Sequence, residues 1–227
     1  MMGKTMSAAK MDMEEARFNM IEQQIRPWEV LDPEVLELLS TVKREDFVSP
    51  SHRMLAFADI ELPIGNGQTM LQPKIEARIL QQLAIKNTDV VLEVGTGSGY
   101  MAALLASKAE NVYTVEIDPF LAASARENLQ KAGVANVLVE TGDASEGWPK
   151  HGPFDVIVIS GSLPELPEQF LQQLKIGGRL AVFVGEPPAM QARIVTRTGD
   201  TAFNTINLFE TVVAPLSTAR QRQRFVF

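Results

Sequence analysis

Three glycines spaced two apart, Gly95, Gly97 and Gly99, follow the apolar run Val90, Val91, Leu92 and Val94. The run is mostly β-branched and too short for a helix, which predicts a strand buried on both faces. From Tyr100 to Ala109 the chain turns Ala-, Leu- and Met-rich, the composition of a helix. A strand, a glycine turn and a helix start place bare backbone N–H groups and a positive dipole end at the mouth of a sheet, which is the outline of a nucleotide site. Three carboxylates accompany it. Glu93 sits at the carboxyl end of that strand, Glu116 ends the next predicted strand, NVYTVE, and Asp143 follows the third, from Val137 to Glu140. No GxxxxGK segment is present, so a P-loop is excluded. A dinucleotide fingerprint needs glycine where Tyr100 stands, and here the third glycine comes one position early.

The elements that must hold these residues alternate. From residue 89 the pattern is strand, helix, strand: Asn111 to Glu116, a helix from Pro119 to Ala132 stopped by Gly133, the third strand, then Phe154 to Ser160 leading into Gly161 and Ser162. A short helix from Leu166 to Leu174 and the strand Arg179 to Gly185 follow, and alternating apolar residues in the last third predict an antiparallel pair at the sheet edge. Ahead of the alternation, Glu14 to Ile25 reads as an amphipathic helix with Phe18, Ile21 and Ile25 on its apolar face, ended by Pro27. Asp32 and Pro33 start a second helix, and Lys74 to Leu83 forms a third. Between them Pro63, Gly65, Asn66, Gly67 and Pro73 argue against any regular element from Asp59 to Pro73, a loop too long to be idle.

Composition narrows the function. With 227 residues, 45% hydrophobic and 22% charged, the chain can bury a full core. A formal charge of -7 argues against a non-specific hold on nucleic acid. Arg220, Arg222 and Arg224 read as a solvated basic tail. No cysteine and only two histidines, His52 and His151, leave no disulfide and no thiolate or His-rich metal site, and a reducing cytoplasm is the expected setting. No apolar run approaches the ~18 residues of a membrane span, and residues 1–13, expected to fray, have no signal-peptide core. We expect one domain over residues 14–227, with a helical and loop-bearing region at 14–83.

GxGxG after a strand ending in an acid resembles the S-adenosylmethionine-dependent methyltransferases. That resemblance implies a three-layer, doubly wound α/β sheet of Rossmann-like type, mostly parallel with an antiparallel C-terminal edge, plus an N-terminal helical cap. It also implies that Glu116 meets the ribose hydroxyls, Asp143 the adenine amino group and Glu93 the methionine ammonium. LPIGNGQTMLQP, VLEVGTGSGYMAALLA, GDASEGW, PFDVIVIS and QLKIGGRL, within Leu36 to Gly185, further resemble the protein-L-isoaspartate O-methyltransferase family. The family implies methylation of the free carboxylate of isoaspartyl residues in a protein or peptide, with S-adenosyl-L-methionine consumed and S-adenosyl-L-homocysteine released. By this resemblance Gln68, Thr69, Gly95, Thr96, Gly97, Gly99, Tyr100, Ile117, Gly142, Ala144 and Ser160 join the three acids around the cofactor. The substrate side falls to Ile64, Gly65, Gln68, Met70, Leu71, Gln72, Pro73, Gly161 and Ser162.

Methyl transfer to a carboxylate needs no general base, because a carboxyl of ordinary pKa near ~4 is already ionised at neutral pH. Orientation in line with an activated methyl can lower the barrier by about 7 to 11 kcal/mol. Thr69 and Leu71 are the loop residues nearest the chemistry on this reading, and Asp59 is the candidate base should the acceptor be a hydroxyl. Leu71 departs from the family, which carries serine there. Losing one hydroxyl bond costs only about 0.5 to 1.5 kcal/mol, but an apolar wall against an unpaired carboxylate costs more. Two alternatives therefore stand beside isoaspartyl methylation: a relative acting on another carboxylate or a hydroxyl, and a protein that binds the cofactor without chemistry.

Overall fold

The computed structural model describes residues 13–219, divided into two compact units between Gln82 and Leu83. The expected frayed start, apart from residue 13, and the basic tail at Arg220, Arg222 and Arg224 lie outside the described residues.

In the first unit, α1 (residues 13–20) widens into one π-helical turn, Ile21–Ile25, and a 3-10 turn, Arg26–Trp28. Met20, Ile21 and Ile25 are buried, but Phe18 is 62% exposed, against its expected place on the apolar face. Arg17 takes the inward place instead, one turn before Met20 and Ile21, because its charge is neutralised by Glu45. α2 (Pro33–Thr41) begins where Asp32 accepts the Glu34 N–H at 2.9 Å, with proline at its first position, and buries Val35, Leu36, Leu38 and Leu39.

The stretch expected to lack regular structure contains a hairpin, β1 (Leu62–Gly65) against β2 (Gln68–Met70), followed by α3 (Pro73–Leu83). The turn pair is Asn66-Gly67, with φ of 49° and 73°. Two left-handed residues in a two-residue loop match the right-handed twist of paired strands, so the same residues that oppose a long element favour a tight hairpin. Pro63 is tolerated because a two-stranded ribbon has only edges.

The second unit holds a seven-stranded sheet in the order β5-β4-β3-β6-β7-β8-β9. Its members are β3 (Val90–Val94), β4 (Asn111–Glu116), β5 (Val137–Thr141), β6 (Phe154–Leu163), β7 (Leu174–Glu186), β8 (Ala189–Arg197) and β9 (Phe203–Thr211). β3 to β7 pair in parallel, while β8 and β9 run antiparallel at one edge. Three helices connect the parallel strands: α4 (Tyr100–Ala106), α5 (Pro119–Lys131) and α6 (Glu168–Gln172). Leu92, Phe154, Ile157, Ile159, Leu180 and Val182 are wholly buried at the centre. Each such side chain contributes about 1.5 to 3 kcal/mol, which fixes the central strands rigidly. Chain order reverses at β3, whose neighbours are β4 on one side and β6 on the other, so the glycine turn lies at a topological switch point.

β6 runs three residues past its expected end at Ser160. The returning chain holds the extension: the Ser162 N–H donates to the Ala214 carbonyl at 2.9 Å, and the Leu216 N–H to the Ser162 carbonyl at 3.0 Å.

Candidate cofactor crevice and acceptor loop

At the end of β3 the turn residues Gly95, Gly97 and Gly99 all take left-handed conformations, with φ of 88°, 54° and 87°. At Gly99 a Cβ would stand 3.2 Å from the Leu129 side chain and 3.4 Å from Ala125. Glu116, the last residue of β4, grips this turn from beside it. Its carboxylate accepts the Gly97 N–H at 2.8 Å and the Asp118 N–H at 3.1 Å. Asp118 in turn caps α5 by accepting from Phe120 and Leu121. One carboxylate thus ties the glycine turn to the start of the next helix, and Ile117 beside it is 39% exposed.

Glu93 lies at the carboxyl end of β3, as expected, with its side chain turned inward. It is fully buried, accepting the Thr114 hydroxyl at 2.6 Å and the Ser160 hydroxyl at 3.3 Å, and Thr114 also meets the Thr96 hydroxyl at 2.6 Å. Glu93 therefore braces β4 and β6. Thr96, Tyr100 and Ala144 are likewise buried. Thr114 went unremarked in the sequence because its place opposite Glu93 is set by strand register, 21 positions away.

The third acid behaves differently. Asp143 is exposed, and its Oδ1 accepts the Ser145 N–H at 2.9 Å and the Thr218 hydroxyl at 2.8 Å. The Ser145 N–H, against a smaller cost of burial and with help from Thr218, holds this carboxyl below its ordinary range. Beside it the Trp148 indole lies over Gly142, where a Cβ would come within 2.7 Å of the ring. Glu140 fixes that indole, accepting Trp148 Nε1–H at 2.7 Å while pairing with Lys150 and with His151 Nε2 at 3.0 Å. His151 also stacks on Tyr113, ring centres 4.0 Å apart. Burial works against ionisation of Glu140, but these donors outweigh it and hold its carboxyl below the usual range.

On the β6 side, Ser160 is half-buried and Gly161 is covered by Leu216, whose Cδ2 would stand 2.7 Å from a Cβ at Gly161 and 3.5 Å from one at Gly95. Beyond Leu216 opens a groove of about 670 Å³, lined among others by Ser162, Pro164, Glu186, Met190 and Ser217. Ser162, expected on the substrate side, is 1% exposed and spends its hydroxyl on the Val213 carbonyl at 2.8 Å. Leu216 and Thr218 were not singled out in the sequence. The Thr218 bond to Asp143 spans 75 positions, so no local pattern carries it.

The loop residues lie in the first unit. Ile64, Gln68, Thr69, Leu71 and Gln72 are half-buried and Gly65 is exposed, whereas Met70 is buried by the alternation of β2 and Pro73 by its place opening α3. Thr69 donates to Glu61 at 3.2 Å. Asp59 pairs with Lys74 Nζ at 2.5 Å, and that ammonium lies 4.3 Å from the centre of the Trp28 ring. Beneath Leu71, the buried Arg44 guanidinium joins the Leu71 carbonyl to the Glu76 carboxylate. Burial, opposed by Arg44, raises Glu76 to about 7.

A parallel sheet that reverses at β3, a glycine turn gripped by the acid ending β4, and an exposed acid after β5 are features of an α/β protein of nucleotide-binding type. The model of the Protein-L-isoaspartate(D-aspartate) O-methyltransferase (PCMT) family matches residues 15–221, and the chain belongs to that family. It is 39% identical over 206 residues to protein-L-isoaspartate O-methyltransferase 2 of Marinobacter nauticus, covering 90% of this chain and 94% of that one. To the Koribacter versatilis protein-L-isoaspartate O-methyltransferase it is 45% identical over 181 residues, 80% of this chain and 81% of that one. Among solved structures, a protein-L-isoaspartate O-methyltransferase superposes with a TM-score of 0.77 at 26% identity, covering 88% of this chain and 65% of that one. A Plasmodium falciparum protein of the same kind, in complex with S-adenosyl-L-homocysteine, has the same fold, with a TM-score of 0.75 at 20% identity over 89% of this chain and 97% of its own.

Proposed function

We propose that this chain methylates the free carboxylate of isoaspartyl residues in proteins or peptides, with S-adenosyl-L-methionine as donor and S-adenosyl-L-homocysteine as product. The observation that carries the reading is the Glu116 carboxylate bonded to the Gly97 N–H beside an exposed Ile117 and Asp143. That arrangement fits a nucleoside: Glu116 keeps lone pairs for two ribose hydroxyls, Ile117 offers an apolar surface to the base, and Asp143 accepts from an exocyclic amine. Gly95 and Gly97 leave the backbone bare for close approach. The bound donor supplies a methyl group on a positively charged sulfur.

The chain's own contribution is orientation. Glu93, Thr96, Thr114 and Ser160 hold the turn from beneath, and Glu140 with Trp148 holds the segment that carries Asp143. The acceptor carboxylate oxygen forms the new bond to the methyl carbon as the carbon–sulfur bond breaks, its electron pair staying on sulfur, and no proton moves. A residue to take a proton is therefore unnecessary. Asp59, the one candidate base, is engaged by Lys74, which favours a carboxylate acceptor over a hydroxyl. Gln68, Thr69, Leu71 and Gln72 form the acceptor loop on this reading. The half-buried Leu71 side chain supports, as a second reading, an acceptor other than the isoaspartyl carboxylate. A net charge of -7 and the absence of cysteine support a protein acceptor, rather than nucleic acid, in the cytoplasm.

The test is steady-state turnover with an isoaspartyl peptide. Methyl ester plus the methanol released as that ester closes to a succinimide should together equal the S-adenosyl-L-homocysteine formed; donor binding with neither ester nor methanol on that peptide would reject the reading.

A further inference from the structure

We infer that Arg44 is a positioning residue for the acceptor loop: its buried guanidinium, seated on Glu76, holds the main-chain carbonyl of Leu71 and so sets where residues 71 and 72 stand between β2 and α3. The inference rests on the loop's proposed role. It goes beyond it by assigning the device that orders the loop.

Arg44 opens a 3-10 turn, Arg44–Asp46, and is 1% exposed, while Glu76 in the first turn of α3 is 3% exposed. Nη1–H donates to Glu76 and Nη2–H to the Leu71 carbonyl at 2.5 Å. Two nitrogens of one rigid plane thus serve two different elements, a helix and the loop leading into it. Residues 68–70 are held by the ladder with β1 and Thr69 by Glu61, so the Arg44 bond acts on the stretch between that ladder and α3. The Gln72 carbonyl begins α3 by accepting from Ile75 and Glu76, and Pro73 has no N–H to give.

A buried ion pair is a poor device for stability alone, because well-packed apolar side chains of equal volume serve as well or better. What they cannot do is donate to a carbonyl. The third partner, Leu71, is therefore the informative one: a guanidinium can hold a carboxylate and a peptide oxygen at fixed angles, whereas an ammonium is a point charge on a flexible stem. With an apolar side chain at Leu71, what this position offers a polar acceptor is its main chain, and the placement of that main chain is what Arg44 controls.

The test compares the full-length chain with two variants, Arg44→Met/Glu76→Leu, which replaces the pair by apolar volume, and Arg44→Lys, which keeps charge but not the fork. Melting temperature, KM for donor, KM for an isoaspartyl peptide and the rate of thermolysin cleavage within residues 68–72 are read for each. The pair-replaced variant should melt within a few degrees of the parent and keep its donor KM. Its acceptor KM should rise about tenfold or more, as for loss of one charge-assisted hydrogen bond, and loop cleavage should quicken in step. Arg44→Lys should show the same split, and it decides the matter if the double variant does not fold. Parental acceptor KM and parental cleavage in a folded variant would overturn the inference. Failure of the parent chain to make ester would instead reject the proposed function, and cleavage alone would then judge whether Arg44 orders the loop.

Discussion

Replacing Glu116 by glutamine separates the two tasks that one carboxylate performs. In the structure its two oxygens accept from two backbone donors, Gly97 at 2.8 Å and Asp118 at 3.1 Å, and the residue is 6% exposed. Glutamine has one acceptor oxygen, so either donor must face an amide NH2. A donor left unsatisfied in a buried setting costs about 1 to 3 kcal/mol. For a chain of this size that lowers the melting temperature by about 2 to 12 °C, at ~2 to 4 °C per kcal/mol. Cofactor affinity should fall further than stability suggests, because the turn is displaced and a charged acceptor for the ribose is gone. Loss of one hydrogen bond to a charged group, about 1.5 to 3 kcal/mol, corresponds to a roughly ten- to hundredfold weaker Kd. Calorimetric titration with S-adenosyl-L-homocysteine at a temperature well below both transitions measures the second effect, and a thermal melt without ligand measures the first. A variant with parental Kd and parental melting temperature would refute the view that Glu116 is both the clamp of the turn and the ribose acceptor.

Other perturbations have defined signs. Glu76 is raised from 4.5 to about 7, so the folded state binds its proton more tightly than the unfolded chain does. Its contribution favours folding below pH ~4.5, declines as pH rises to ~7 and is level above, an effect on the order of 3 kcal/mol; urea unfolding of Glu76→Gln should lack that decline. Glu140 has the opposite sign, since its lowered value gives stability that is present above the ordinary carboxyl range and lost as pH falls through the folded value. Glu140→Gln should loosen Trp148 over Gly142, read as a change in indole fluorescence and a several-fold weaker Kd for the cofactor. Gly99→Ala, at φ 87° with Leu129 3.2 Å from the new Cβ, should cost about 1 to 2 kcal/mol in a denaturant titration. Leu71→Ser should raise the rate on an isoaspartyl peptide, and an unchanged or lower rate would contradict the view that leucine narrows the acceptor side.

Much of the second unit was legible because its signals are local. β-branched runs mark β3, β4 and β6, glycine marks the turn, and Asp118-Pro119 marks the start of α5. The order of acids after successive strands likewise survives in the structure. What sequence could not carry is which face an acid presents: Glu93, Glu116 and Asp143 all end strands or follow them, yet one is sealed under the turn, one is clamped to it and one is open. Register with Thr114 and the return of the chain through Leu216 and Thr218 decide that, and both are contacts between distant positions. In the first unit the same glycine and proline content that suggested irregular chain proved to be hairpin chemistry, because Asn66-Gly67 has the conformations a two-residue turn requires. The role of Arg44 has the same character: its partners, Glu76 and the Leu71 carbonyl, lie 32 and 27 positions away.

The most direct measurement is a single turnover with methyl-labelled donor bound to the purified chain, chased with a mixture of an isoaspartyl peptide and its normal aspartyl isomer. Label should pass to the isoaspartyl peptide alone, as a base-labile ester, in an amount equal to the bound donor. Label retained on the donor, or shared evenly between the two isomers, would contradict the assignment.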